Sequence, residues 1–136
     1  MDKYKARMQI EDTLDGVLFH DDVIDEIFDL VMGSGIERQF FKKLISNIEL
    51  IKNLGSKVIE NKNFEKLKDA EDLYSMKFKG KNMNLRMLFS YDVESSTIML
   101  HCFYEREDSG KDRYSSHIPI AIKRKKEMVE SYEKQD

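Results

Sequence analysis

Apolar positions in the first half of the chain recur at the three- and four-residue spacing of amphipathic helices. The stretch "LDGVLF" (14–19) has the pattern of a turn followed by a short strand, and residues 21–31 then place their apolar side chains on one stripe. The glycines of "GSG" end this predicted helix. A second stripe predicts a helix over residues 36–54. The two stripes indicate two helices that pack against a common core.

The second half of the chain changes to short apolar runs separated by polar turns, which is typical of β-strands. Residues 72–78, 84–91 and 96–105 predict three strands, joined by connections short enough for hairpins. Pro119 opens a final helix in which Ile122 belongs to the buried stripe and Lys123 and Arg124 lie on the wet side. The predicted fold is α+β. An antiparallel sheet (a three-stranded meander plus a short N-terminal strand) packs against two N-terminal helices and is followed by a C-terminal helix.

Length and composition narrow the class of protein. A chain of 136 residues predicts one domain over 1–136, with an acidic N-terminal extension at residues 1–20. No apolar run approaches the ~18 residues of a membrane span. Cys102 is the only cysteine, so no internal disulfide can form, and a reducing compartment is expected. The sequence therefore predicts a cytoplasmic protein without membrane association.

Charge is distributed unevenly along the chain. Residues 1–76 contain 11 Lys/Arg and 16 Asp/Glu, whereas residues 77–126 contain 11 and 6. A basic segment between acidic flanks indicates a local site for an anionic partner, although a solvated charged face gives the same count. Cationic groups bind phosphate and histidine moves protons near neutral pH. The segment therefore suits a metal-independent ribonuclease, in which a ribose 2′-hydroxyl attacks the adjacent phosphate.

The order of "LYSMKF", "NLRMLFSY", "IMLHCFYER" and "IPIAIKR" resembles the pattern of the RelE/HigB superfamily of bacterial toxins, in particular its phage-derived HigB-like branch. The resemblance covers roughly residues 36–133. It implies a small toxin that needs no cofactor, cleaves mRNA on the ribosome, and is neutralised by a bound antitoxin. Arg86 matches the arginine of the family's "N-x-R" strand and His101 the histidine of its "L-H-x-F" strand. The predicted catalytic residues are Arg86, His101, Arg106, Tyr114 and His117. The predicted RNA-binding residues are Lys77, Lys79, Lys81, Arg113, Lys123 and Arg124.

Several positions depart from the family pattern and leave a second function open. Ser75 stands where a glutamate is usual, and Glu105 occupies a position that is usually basic. Arg86 could instead project from the exposed face and pair with a glutamate, and His101 could be a hydrogen-bonded structural histidine. The alternative to a nuclease is a non-catalytic phage or plasmid-encoded interaction module on the same fold that binds a host protein. No metal site is predicted, because "HDD" (20–22) lacks a third spaced ligand.

Overall fold

The computed structural model describes residues 5, 8, 10, 16–68, 70, 72–93, 96–105 and 114–133. In chain order its elements are β1 (Val17–Phe19), α1 (Asp21–Val31), α2 (Glu37–Leu54), a 3₁₀ helix (Gly55–Glu60), β2 (Phe64–Lys66), β3 (Tyr74–Gly80), β4 (Met83–Val93), β5 (Ser96–Tyr104) and α3 (Ile118–Glu133). Most of the predicted extension over residues 1–20 lies outside the described ranges. Within those ranges, no helix combines the length and the apolar character that a membrane crossing requires.

The five strands form one sheet in the order β1-β5-β4-β3-β2. The predicted antiparallel meander is confirmed, since β4 pairs antiparallel with both β3 and β5. The prediction of a purely antiparallel sheet is wrong, because β1 pairs parallel with β5 and places Val17 opposite Thr97. The short edge strand β2, which pairs with β3, was not predicted. The fold is therefore α+β with a mixed sheet.

Side-chain alternation along β4 divides the core into two layers. Leu85, Met87 and Phe89 belong to the larger apolar cluster, which α1 and α2 complete. Leu88 belongs to a smaller cluster on the opposite face, together with Ala121 of α3. The sheet therefore lies between two helical layers. On the face that α3 covers, the apolar cluster is small and polar side chains lie beside it.

The orientation of α3 differs from the sequence prediction at two positions. Ile122, predicted to be buried, is 50% exposed. Arg124, predicted to be wet, keeps only 14% of its side chain exposed because it contacts α1 and β5. Ala121 is the one residue of α3 that is fully buried within the described part of this helix. Arg124 therefore adds polar contacts to the apolar packing that attaches α3 to the sheet.

Candidate functional site

Rows of paired residues cross the middle of the sheet on the face that α3 covers. One row is Ser75–Leu88–His101, and the next is Lys77–Arg86–Phe103. The third row pairs Lys79 with Asn84, whose carbonyl accepts a hydrogen bond from the Glu105 N–H. Directly paired residues of antiparallel strands point to the same face. The register therefore brings predicted site residues from three strands together. The turn before α3 adds two more, since Tyr114 and His117 both contact the ring of Phe103.

Glu26 of α1, His101 of β5 and His117 before α3 form a hydrogen-bonded chain. Glu26 Oε2 lies 2.7 Å from His101 Nδ1, and His101 Nε2 lies 2.8 Å from His117 Nδ1. His101 is buried, whereas His117 is half-buried. Of the two imidazoles, His117 is therefore the one that solvent reaches.

Arg124 fixes the carboxylate end of this chain. Its Nη1 donates to Glu26 Oε1 at 2.8 Å and to the Leu100 carbonyl at 2.9 Å, and the Cys102 N–H donates to the same Oε1 at 3.0 Å. Burial opposes ionisation of Glu26, but the hydrogen bonds from His101, Arg124 and Cys102 outweigh it and hold the pKa of Glu26 below its usual value. Glu26 is therefore a carboxylate at neutral pH and accepts from all of these donors.

His117 packs flat against Phe103, with ring centroids 3.7 Å apart and ring planes 7° from parallel. Burial, and then the adjacent His101 imidazole, hold the pKa of His117 below its usual value, while the charge of Glu26 acts in the opposite direction. His117 is therefore neutral at pH 7, so one of its ring nitrogens has a lone pair that can accept a proton.

Tyr114 stands beside this pair with its hydroxyl directed at the sheet. The Tyr114 and Ser75 hydroxyl oxygens are 3.0 Å apart, and the Tyr114 ring meets Phe103 edge-on. Burial and the hydrogen-bonded Glu65 carboxylate raise the pKa of Tyr114 to about 12. The phenol therefore keeps its proton at neutral pH and can act as a donor.

Arg86 and Glu105 form an ion pair, and the two residues are only 2% and 5% exposed. Arg86 Nη1 also donates to Asn84 Oδ1 and to the Leu85 carbonyl, both at 3.1 Å. The side-chain amide of Asn84 donates to the Glu105 carbonyl at 2.8 Å, so Asn84 holds both partners. The pairing of Arg86 with a glutamate, left open by the sequence, therefore occurs in the interior. A phosphate could reach this guanidinium only after Glu105 had moved.

The lysines predicted to bind RNA lie around this buried pair. Lys77 is half-buried, and Lys79, Lys81 and Lys123 are exposed. The Lys81 carbonyl accepts a hydrogen bond from Gln39 of α2 at 2.7 Å, which anchors the β3–β4 turn. Among the described residues, Lys77 and Lys79 therefore provide cationic charge on this face, where the register places them beside Arg86 and Asn84.

Arg124, also predicted to bind RNA, is not brought to the same place. Arg124 is engaged with Glu26 and a backbone carbonyl, on the side of α3 that faces α1. Arg106 and Arg113 lie outside the described residues. Of the predicted catalytic residues Arg86, Arg106 and Tyr114, the structure therefore describes Arg86 and Tyr114, which share one face of the sheet.

A family model described as phage derived protein Gp49-like (DUF891) matches residues 34–126. The chain belongs to this family. The Gp49-like family is a RelE/HigB-like toxin family, so the resemblance found in the sequence is confirmed. The fold is also similar to the free-state structure of a mutant of the E. coli toxin RelE. The TM-score is 0.48 and the sequence identity 21%, and the match covers 79% of this chain and 94% of that one. No curated protein matches the chain.

Two residues of the site in this Gp49-like protein were missed by sequence reasoning. Glu26 sits in a run of acidic residues and precedes the range that the family model matches. A signal was present, since Glu26 follows Val23 by three residues and precedes Leu30 by four, at the border of the apolar stripe. Phe103 has the pattern of an ordinary core residue.

Among the described residues, no group of three or more His, Cys, Asp or Glu side chains could hold a metal ion.

Proposed function

We propose that the protein is the toxin of a toxin–antitoxin pair and that it cleaves mRNA on the ribosome by attack of a ribose 2′-hydroxyl on the neighbouring phosphate. The observation that carries this proposal is the hydrogen-bonded pair of His101 and His117, which shares one sheet face with Tyr114 and Lys77. These side chains supply a base, an acid and a cation, the three functions that the reaction requires.

The pKa directions support one assignment of the two proton-transfer roles. His117, neutral at pH 7, accepts the proton of the 2′-hydroxyl as that oxygen bonds to phosphorus. Tyr114, protonated at pH 7, donates its proton to the 5′-oxygen as the P–O5′ bond breaks. The products are a 2′,3′-cyclic phosphate and a 5′-hydroxyl. The resulting phenolate and imidazolium return to their starting states by exchanging protons with water.

The ion pair of Arg86 and Glu105 supports a role for the ribosome. While Glu105 neutralises Arg86, the charge that develops on the phosphate is left to Lys77, Lys79 and the predicted Arg106 and Arg113. Correct positioning of reacting groups can contribute about 7–11 kcal/mol to lowering a barrier. A ribosome that holds the message in place would therefore compensate for a weak cationic site.

The same ion pair also favours the alternative function. A basic site whose central arginine is neutralised by a neighbouring glutamate has little attraction for phosphate. A non-catalytic module that binds a host protein through this fold would have no need of an accessible arginine.

Primer extension on mRNA from cells that express the protein under inducible control separates the two functions. We expect new cut sites with the wild type, and about 10²–10⁴-fold less cutting with His117→Asn or Tyr114→Phe, because each variant removes one proton-transfer group. The matched control is Tyr104→Phe, since Tyr104 is 56% exposed and pairs with Leu85 on the opposite face. Purified protein should cut the same message efficiently only when ribosomes are added.

Thermal melting confirms that each variant folds. Absence of cut sites with the wild type would reject the nuclease in favour of the interaction module. Equal cutting by the wild type and the His117 and Tyr114 variants would retain the nuclease and reject this site.

A further inference from the structure

The proposed reaction leaves Glu26 without a role, although three hydrogen-bond donors, from His101, Arg124 and Cys102, surround its carboxylate. It is the one member of the hydrogen-bonded chain that precedes the family-matched range. The parallel pairing of β1 with β5 carries α1 alongside β5 and so brings Glu26 to His101. We propose that Glu26 is a positioning residue that acts through His101 to hold neutral His117 as the Nδ1–H tautomer, so that Nε2 has the lone pair. The catalytic meaning of this tautomer rests on the proposed function, but the tautomer itself does not.

The position of the proton on His101 follows from a count of the hydrogens around Glu26. Arg124 Nη1 has two hydrogens, and they are used by Glu26 Oε1 at 2.8 Å and the Leu100 carbonyl at 2.9 Å. None is left for His101 Nδ1, although that atom lies 3.2 Å from Nη1. Since an ionised carboxylate only accepts, the 2.7 Å contact between Glu26 Oε2 and His101 Nδ1 requires the proton to be on Nδ1.

The tautomer of His117 then follows from the chemistry of imidazole. When the His101 ring has a single proton and that proton is on Nδ1, its Nε2 has a lone pair. His117 Nδ1 lies 2.8 Å from that lone pair and must therefore donate to it. A neutral His117 that donates from Nδ1 has its own lone pair on Nε2. One carboxylate thus sets the tautomers of two rings in sequence.

The negative charge of Glu26 also stabilises the protonated form of His117. When His117 Nε2 accepts a proton, the positive ring still donates from Nδ1 to His101, and the Glu26 carboxylate lies behind that bond. The charge of Glu26 raises the affinity of His117 for a proton, against the opposing effects of burial and of His101. Two further charged groups are described near this hydrogen-bonded chain: Arg124, bonded to Glu26, and Asp22, 3.9 Å from Arg124 Nε. Glu26 therefore holds the ring in its accepting form and stabilises the product of proton transfer.

The substitution Glu26→Gln should reverse the direction of the hydrogen bonds from Glu26 through His101 to His117, rather than merely weaken them. The Arg124 Nη1 and Cys102 N–H donors both face the position of Oε1, so the amide oxygen must occupy that position. The amide NH₂ then points at His101 Nδ1 and donates to it. His101 shifts its proton to Nε2, His117 accepts at Nδ1, and the proton of His117 moves to Nε2.

The test is long-range ¹⁵N–¹H NMR of the imidazoles in the full-length protein at neutral pH without RNA. We expect His117 to be the Nδ1–H tautomer in the wild type and in Asp25→Asn, a matched change at the neighbouring carboxylate of α1, and the Nε2–H tautomer in Glu26→Gln. Cleavage by Glu26→Gln should fall on the order of a hundredfold in kcat with little change in KM, because binding contacts are retained.

Each result separates this inference from the proposed nuclease. A wild-type His117 in the Nε2–H form would overturn the positioning role of Glu26, even if the protein cuts RNA and even if Glu26→Gln fails to fold. An unchanged tautomer in folded Glu26→Gln would also overturn it. The expected tautomers in a protein that cuts no RNA would support the role of Glu26 and reject the nuclease.

Discussion

Loss of the charge on Glu105 should destabilise the protein strongly, because Arg86 would remain in the interior without a counter-charge. Removing one partner of a buried ion pair costs about 3–5 kcal/mol. In Glu105→Gln the amide oxygen still accepts a hydrogen bond from Arg86, so the low end of this range, about 3 kcal/mol, is expected. With a urea dependence of about 2 kcal/mol per M, the unfolding midpoint should fall by about 1.5 M.

Urea denaturation followed by circular dichroism measures this shift, and two further variants test its cause. Replacing both partners with apolar residues, Arg86→Met with Glu105→Leu, should recover most of the lost stability, since no charge is left unpaired. Asp72→Asn removes an exposed carboxylate 4.0 Å from Lys125 and should cost less than about 1 kcal/mol. A midpoint shift below about 0.5 M in Glu105→Gln, or a double variant less stable than the single one, would refute the reasoning.

Two further predictions concern stability near the site. The pKa of His117 is lower in the folded than in the unfolded chain, so its contribution to stability is complete above about pH 6.5 and is lost as the pH falls through the folded value. His117→Asn should therefore show a shallower loss of unfolding free energy than the wild type when urea melts at pH 7 and pH 5.5 are compared; an equally steep loss would contradict this. Tyr114→Phe should lose about 1 kcal/mol with the hydrogen bond to Ser75, whereas the exposed Tyr104→Phe should melt like the wild type; equal melting of the two variants would show that the bond contributes nothing.

Local patterns predicted those parts of the fold that depend on neighbouring residues in the sequence. The meander followed from apolar runs separated by turns a few residues long, and α2 from a stripe that recurs over its whole length. The pairing of β1 was beyond this reasoning, because Val17 and Thr97 are 80 residues apart and no local signal specifies a parallel partner. The strand β2 was missed because "FEK" is short and lies in a polar connection.

The same difference between local and long-range information applies to the residues of the candidate site. His101, Tyr114 and His117 could be singled out because each is an unusual residue type in its local context. Strand register places His101 on the same face as Phe103, and the turn before α3 brings Tyr114 and His117 to the Phe103 ring. Glu26 could not, since one carboxylate among many on α1 becomes distinctive only when the fold brings it to His101. The prediction that the Arg124 side chain is exposed to solvent failed for a related reason. A helix with one fully buried residue among those described has too weak an apolar stripe to fix its rotation.

The parallel pairing of β1 with β5 also determines when the protein can be complete during its own synthesis. At about 5–20 residues per second, β1 emerges roughly 4–16 s before the residues that it pairs with. The β3–β4 hairpin can close over a few residues in that time, but the edge strand β1 and the contact from Glu26 to His101 must wait for β5. His117 is added later still. A nascent chain therefore lacks the proposed proton-transfer site until residue 117 has been synthesised, so the ribosome that makes a toxin of the proposed kind is spared until that point.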